Sequence, residues 1–236
     1  MSFHSRKPAT PSSDSFKPRV EPFAGVISSV VAQQRARRHL GARVNVFIEE
    51  KFSFALSADL AFKHGLRPKM MIDAEFLGQL LREDGETKAL TTALNFIGYR
   101  PRAEEEIRTR LQRDEWSETV ITAVIAKLRD NKMLDDAQFA SDWVESRSRS
   151  KPRGARLLKQ ELRFKGVDKE DIDAALPDAD AEIENAIAAL GKLERKLEKW
   201  EQGRERTQKA IEMMARRGFG YGTVKTALAR MEEMEE

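Results

Sequence analysis

RSRSKPRGARLLKQELRFKGVDKEDIDAAL, residues 147 to 176, carries eight Lys or Arg between Arg147 and Lys165 and then turns acidic and aliphatic. Such a run is either a contact for an acidic partner or one unit of a packed helical fold with a basic outer face. At about 100° per residue, Ala155, Leu158 and Leu162 share one helical face. Gly166 breaks the helix, and Asp168 with Glu170 and Asp171 in the following turn fits a second start through both capping and the helix dipole. Aligning Leu162 with Leu111 and Met214, which lie 51 and 52 residues away, exposes a repeat. Ile107, Leu158 and Ala210 fall together at offset minus four, and Trp116, Val167 and Phe219 at plus five. Ile121, Ile172 and Val224 meet at plus ten, and Ile125, Leu176 and Leu228 at plus fourteen. The breakers agree in pairs: Arg100-Pro101 with Lys151-Pro152, and Gly166 with Gly218.

Each unit is thus helix, turn, helix, Gly or polar turn, helix. Roughly fifty residues in this form make a bundle too small to be very stable alone, so stacking is expected. The expected fold is mainly α, with tandem three-helix repeats forming an elongated curved array behind a small β-containing N-terminal module. The repeats are placed at 88–134, 135–179 and 180–236, the module at 22–87, and a disordered basic tail at 1–21. The third unit departs from the others: AEIENAIAALGKLERKLEKWEQGRERTQKAIEMM, Ala181 to Met214, is Lys/Glu-rich and predicts a long terminal or solvent-bridging helical element. Asp135 with Gln138 three positions on predicts a capping box at the start of the second repeat.

Upstream the period changes from helical to alternating. VISSVVA precedes RVNVFIEEKFSFAL, in which Val44, Val46 and Ile48 alternate with Arg43, Asn45 and Phe47, then Glu49-Glu50-Lys51 makes a polar turn and Phe52, Phe54 and Leu56 resume the alternation. This predicts a hairpin with a third strand. So small a sheet needs cover, available from short helices in ADLAFKHGL and DAEFLGQLL, the second capped by Asp73.

The chain has 236 residues, 40% hydrophobic, 34% charged and 7% aromatic, which suits a helix-rich protein. Because 42 Lys and Arg face 39 Asp and Glu, for a net charge of +3, any claim about an acidic partner must rest on clustering rather than on total charge. No apolar run approaches bilayer length, so no membrane contact is expected. The opening MSFHSRKPATPSSDSFKPR lacks an apolar h-region and predicts a tail rather than a signal peptide. Zero cysteines exclude a disulfide framework, thiolate chemistry and cysteine-held metal, and agree with a cytoplasmic setting.

Catalytic and cofactor signals are missing. His4, His39 and His64 are not spaced with a second ligand on a helical face, so no metal is expected. RGFGYG, Arg217 to Gly222, has the glycines of a nucleotide loop but lies between helical segments, predicting a turn with Phe219 and Tyr221 packed. Asp135-Asp136 sits at a helix start, where capping outweighs acid–base work. Neither a cofactor nor an enzymatic role is expected.

The basic clusters remain. Arg156, Lys159 and Arg163 form a stripe about a quarter turn from the leucines of their helix, so they can be exposed while the leucines pack. Arg147, Arg149, Lys151 and Arg153 precede them, with Glu145 and Glu161 the nearby opposition, so the local positive field should reach several kT. Arg108 and Arg110 each follow an acid, Glu104 and Glu106, by four residues and are assigned to helix stabilisation. Arg100 and Arg102, flanking a proline, join the second-repeat cations as candidate partner-binding residues. Trp116, Trp143 and Phe164 occupy helical or turn packing positions and are assigned to the core.

YRPRAEEEIRTRL (Tyr99 to Leu111), MLDDAQFASDWVESR (Met133 to Arg147), the stretch 147 to 176, and ARRGFGYGTVKTAL (Ala215 to Leu228) together resemble the RecX family of recombinase regulators. The Y-R-P-R start, L-D-D-x-x-F-A linker and E-L-R-x-K-G-V turn carry the resemblance by their order and spacing. It covers about 140 residues of the helical part, and the segment from Val26 to Leu80 resembles the N-terminal piece of some members. The sequence departs from the family at Glu115-Trp116, where a basic residue and glycine are more usual, and between Ala181 and Gln208.

The resemblance implies a non-enzymatic, monomeric regulator that binds RecA and its filament on single-stranded DNA, lies in the filament groove, and inhibits ATP hydrolysis, strand exchange and coprotease activity. Recombination, DNA repair and the SOS response would follow. Two other readings stay open on the residues alone. One is a nucleic-acid-binding module whose arginines contact phosphates of single- or double-stranded DNA; the other is a purely structural helical scaffold.

Overall fold

The computed structural model describes residues 21–33, 41–200 and 203–235. The expected basic tail, apart from Glu21, lies outside these residues, as do His4 and His39. The chain forms two compact units, residues 1–100 with 107–130, and 101–106 with 131–236.

In the first unit β1 (Gly25–Ala32), β2 (Arg43–Ile48) and β3 (Lys51–Ser57) form an antiparallel meander, extended at the β1 edge by the two-residue β4 (Met71–Ile72), so the sheet order is β3-β2-β1-β4. Glu49 and Glu50 close the β2–β3 hairpin with φ of 50° and 63°. Two successive left-handed residues belong to the type I′ turn, whose twist matches the flanking strands. Alternation sends Val46, Ile48, Phe54 and Leu56 to one face, where Leu60 of α1 (Ala58–Lys63) and Leu77 and Leu80 of α2 (Ala74–Tyr99) bury them. Ser57 and Asp73 cap the two helices through bonds from the amides of Leu60 and Phe76.

Where a short helix was expected, α2 runs for 26 residues. No proline intervenes before Pro101, and the isolated glycines Gly78 and Gly85 are too weak as breakers to stop it. Leu77 and Leu80 cover the sheet, whereas Ala89 and Ala93 are buried farther along, where α2 packs on α4 (Glu118–Asp130). The boundary placed between residues 87 and 88 therefore lies inside a single helix serving both module and first repeat. Asp84, midway, accepts two hydrogen bonds from Arg43 of β2 at 3.1 and 3.0 Å and one from the Ser57 amide, and pairs with Lys88 at 2.8 Å.

The remaining elements repeat a plan. The second helices are α3 (Glu104–Arg113), α6 (Ala155–Phe164) and α10 (Arg204–Ala215); the third are α4, α7 (Lys169–Ala175) and α11 (Tyr221–Glu235). First helices α2, α5 (Asp136–Ser150) and α8 (Ala179–Gly191) each pack on the third helix of their own repeat. The aligned residues Leu111, Leu162 and Met214, and Ile121, Ile172 and Val224, are all fully buried. Each second helix ends in the same Schellman motif: Trp116, Val167 and Phe219 amides donate to the Leu111, Leu162 and Met214 carbonyls, all at 3.2 Å. Glu115, Gly166 and Gly218 supply the required positive φ of 61°, 80° and 88°.

In the second unit the repeats share further contacts. The Glu104 amide at the start of α3 donates to Asp136 of α5 at 2.9 Å, and the Ala155 amide at the start of α6 donates to Glu182 of α8 at 2.8 Å. A Cβ on Gly166 would overlap Glu105, and one on Gly218 would overlap Leu157. Thus each Schellman glycine receives the start of the preceding repeat's second helix.

Several expectations change. The third repeat's long stretch is broken into α8, α9 (Glu194–Leu197) and α10, with Gly203 at φ 112° before α10. Its Ala186, Ala189, Leu190, Leu193, Leu197 and Met214 form a buried core rather than a solvent-bridging helix. Asp135 does accept from the Gln138 amide, but the Gln138 side chain turns to Asp142 instead of completing the box. Asp168 sits at the start of α7 without a side-chain capping bond. Phe219 is buried as expected, while Tyr221 is exposed. Arg110 pairs with Asp114 rather than Glu106, which meets Arg102 and Lys165. Among the described residues no helix is long and apolar enough to cross a membrane.

Candidate interaction surface on the second repeat

Helix α6 presents three faces. Ala155, Leu158 and Leu162 define the first; Leu158 and Leu162 pack against Phe139, Ala140 and Val144 of α5 and Ile172 of α7. At 100° per residue, Arg156, Lys159 and Arg163 lie about 100° from it, as the periodicity requires. Arg156 and Arg163 are exposed and without an ion-pair partner among the described residues, while Lys159 pairs with Asp173 of α7. The hydrogen bond from Lys159 holds the Asp173 carboxyl below its usual range.

The third face, with Leu157, Glu161 and Phe164, lines an open groove of about 460 Å³ together with Trp143, Arg147, Arg153 and Lys165. Glu161 organises it. One carboxylate oxygen accepts from the Trp143 indole N–H at 2.9 Å and Arg147 Nε at 3.0 Å, while the other pairs with Arg153. The Arg147 guanidinium lies 4.1 Å from the Trp143 ring centre and the Lys165 ammonium 4.5 Å from it, both within cation–π range. Burial, and then the nearby charge of Arg147, lower the pKa of Arg153. Two guanidinium groups thus converge on a single carboxylate.

Phe164 corrects the core assignment: it is 94% exposed. It stands about 200° round the helix from Leu162, and its counterparts in the other repeats, at the same offset, are Arg113 and Arg216. Trp116 and Trp143 are half-buried.

The predicted cations are thereby divided. Arg147 and Arg153 meet in the groove; Arg156, Lys159 and Arg163 occupy a different face of α6. Arg149 pairs with Glu145 on the α5 surface and Lys151 is exposed at the end of that helix. Arg102 pairs with Glu106 at 3.5 Å in the second unit, while Arg100, exposed, ends α2 in the first. Trp143, Leu157, Glu161, Phe164 and Lys165 are groove members that the sequence did not offer as candidates. The aligned arginines were the available signal for Phe164.

A four-stranded sheet followed by three helix-turn-helix-turn-helix repeats, with cations gathered on the second, defines a tandem-repeat protein of three-helix domains. Matches to known families follow in the same order: the Regulatory protein RecX N-terminal domain over 25–73, and the first, second and third RecX three-helix domains over 89–128, 135–176 and 180–228. The Regulatory protein RecX of Bacillus velezensis is 31% identical over 192 residues, covering 80% of this chain and 73% of that protein. That of Bacillus pumilus is 29% identical over 204 residues, covering 85% and 77%. A crystal structure of regulatory protein RecX agrees in fold with a TM-score of 0.69, at 24% identity over 88% of this chain and all of the other. The chain belongs to the RecX family.

Proposed function

We propose that this protein binds RecA, above all its filament on single-stranded DNA, and restrains ATP hydrolysis, strand exchange and coprotease activity, thereby limiting recombinational repair and the SOS response. It acts in the cytoplasm as a monomer and without a catalytic step of its own. The observation that carries this reading is the division of labour on α6, whose packing face is saturated by the repeat while one outward face carries Arg156, Lys159 and Arg163 and the other is flanked by Arg147, Arg153 and Lys165. Membership of a family whose relatives are named regulatory proteins supports a binding role.

The test is the DNA-dependent ATPase of RecA. Substoichiometric protein is expected to depress hydrolysis, and unchanged hydrolysis and filament assembly at saturating protein would sink the proposal. A prompt fall on addition to preformed filaments would indicate binding along them; a slow decline would indicate blocked extension with continuing disassembly.

The exposed Arg156 and Arg163 favour one second reading, direct contact with DNA phosphates. It predicts tight binding to naked DNA, with each phosphate contact contributing about 0.7 to 0.9 to the logarithmic salt slope. Changing Arg156, Lys159 and Arg163 to Ala separates the two: loss of DNA binding with ATPase suppression intact would assign that stripe to DNA.

A further inference from the structure

We propose that the groove on α6 seats an acidic peptide segment of the filament protein, with a large apolar side chain of that segment on Phe164 and Leu157 and its carboxylates against Arg147, Arg153 and Lys165. This rests on the RecA reading and adds to it the chemistry of one contact.

The groove leaves its apolar lining uncovered. Trp143, Leu157 and Phe164 make up this lining, and Phe164 stands nearly wholly in water. An exposed phenylalanine stabilises nothing in the isolated chain, whereas covering it removes a large apolar area from solvent. Around this apolar centre stand three cations against Glu161, which already pairs with two of them, and Lys165 is shared with Glu106 at 3.4 Å. A carboxylate arriving at the rim relieves the crowding of Arg147 and Arg153 and takes the bidentate geometry that guanidinium groups favour. An apolar centre ringed by cations matches an apolar side chain flanked by acids. Because the groove is open to solvent, it suits a segment laid across it rather than an enclosed small molecule.

Single-stranded nucleic acid fits less well. Sequence-tolerant binders align several open rings with cations along one track. Here the Trp143 ring is already attended by Arg147 and Lys165 and its N–H is engaged by Glu161, leaving Phe164 as the open ring of the groove. The stripe of Arg156, Lys159 and Arg163 lies about a third of a turn away on α6, so a strand on that stripe does not pass over Phe164.

The experiment places a photoreactive group at the exposed position, Phe164→p-benzoylphenylalanine, in the full chain, and irradiates it with RecA filaments on oligo(dT). The expected product is a crosslink to one RecA peptide rich in Asp or Glu and containing an aromatic or large aliphatic residue. A crosslink to DNA, to a basic or wholly polar peptide, or no crosslink under conditions where the chain suppresses the ATPase, overturns the groove proposal while the filament reading stands. If the unmodified chain neither binds filaments nor alters hydrolysis, the filament reading fails first. In parallel, Phe164→Ala is expected to raise the half-suppressing concentration about tenfold while leaving oligo(dT) binding and the thermal melt unchanged. An unchanged half-suppressing concentration, or an equal loss of oligo(dT) binding, counts against the proposal.

Discussion

Asp84 shows how a single buried charge ties the sheet to the helix that continues into the first repeat. It is almost inaccessible, and burial alone would raise its pKa, but hydrogen bonds from Arg43 and Lys88 outweigh that and hold the carboxyl below its usual range. A carboxyl whose folded pKa is depressed stabilises the fold above the unfolded pKa, about 3.9, and loses that contribution as pH falls through the folded value. Glu83 next to it behaves alike: hydrogen bonds from His64, Lys63 and Gln79 lower it to about 2. Replacing Asp84 with Asn leaves Arg43 buried without its counter-charge, so Asp84→Asn should destabilise the first unit by roughly 3–5 kcal/mol and flatten its stability profile below pH 4. Urea denaturation followed across pH checks both, and a loss under 1 kcal/mol would contradict the role given to the pair. Neither partner was legible in the sequence, where Arg43 was simply the polar side of an alternating strand. Phe164 was hidden for the opposite reason: its residue type suggested core while its position on the helix and its aligned arginines placed it outside. The groove needed Glu161 of α6 to draw Trp143 and Arg147 of α5 together with Arg153 of the connecting loop, a convergence that no spacing within one helix reveals.

The repeat was legible where its elements are constrained by burial and by turn geometry. Apolar offsets on the second and third helices survived because Leu111, Leu162 and Met214 all occupy the same enclosed position. Gly166 and Gly218 were visible as shared breakers; Glu115 concealed the third copy of the turn. The structure explains the exception. Gly166 and Gly218 each admit the start of the preceding repeat's second helix against their bare Cα, whereas Glu115 belongs to the first repeat and its side chain is exposed. Its left-handed backbone still costs about 1–2 kcal/mol relative to glycine's freedom. Glu115→Gly should therefore stabilise the chain by roughly 1 kcal/mol, read as a higher thermal midpoint, while Gly166→Ala and Gly218→Ala should cost more than the backbone term alone because the added carbon overlaps a neighbour. Losses at Gly166 and Gly218 no larger than the gain at Glu115 would show that the turns are not distinguished by docking. Less could be read of α2 and of the third repeat: propensity continued α2 past its expected end, and Gly203 interrupts a segment whose Lys/Glu composition suggested continuity.

Within the second unit, stability is exchanged between successive repeats. Helix α6 begins without a capping side chain of its own; it starts from Gly154, and the carboxylate that meets the Ala155 amide comes from Glu182, in the next repeat. Gly154 also donates its amide to the Arg217 carbonyl at 2.9 Å, at the approach to the Gly218 turn. Such a chain resembles a nearest-neighbour system, in which a change in one unit is felt first in the unit before it. The groove that carries the proposed contact lies on α6, so the third repeat helps hold it without lining it. Glu182→Ala removes the carboxylate cap from Ala155 while leaving the α8 apolar face intact. The loss should be about 1 kcal/mol, and it should appear in the second repeat. Hydrogen exchange gives the test: amides in the first turn of α6, Arg156 to Lys159, should exchange about fivefold faster, while those around Ile172 in α7 remain protected. Faster exchange confined to α8 would mean that each repeat supports itself; faster exchange in α6 would establish that this surface depends on its neighbour's charge.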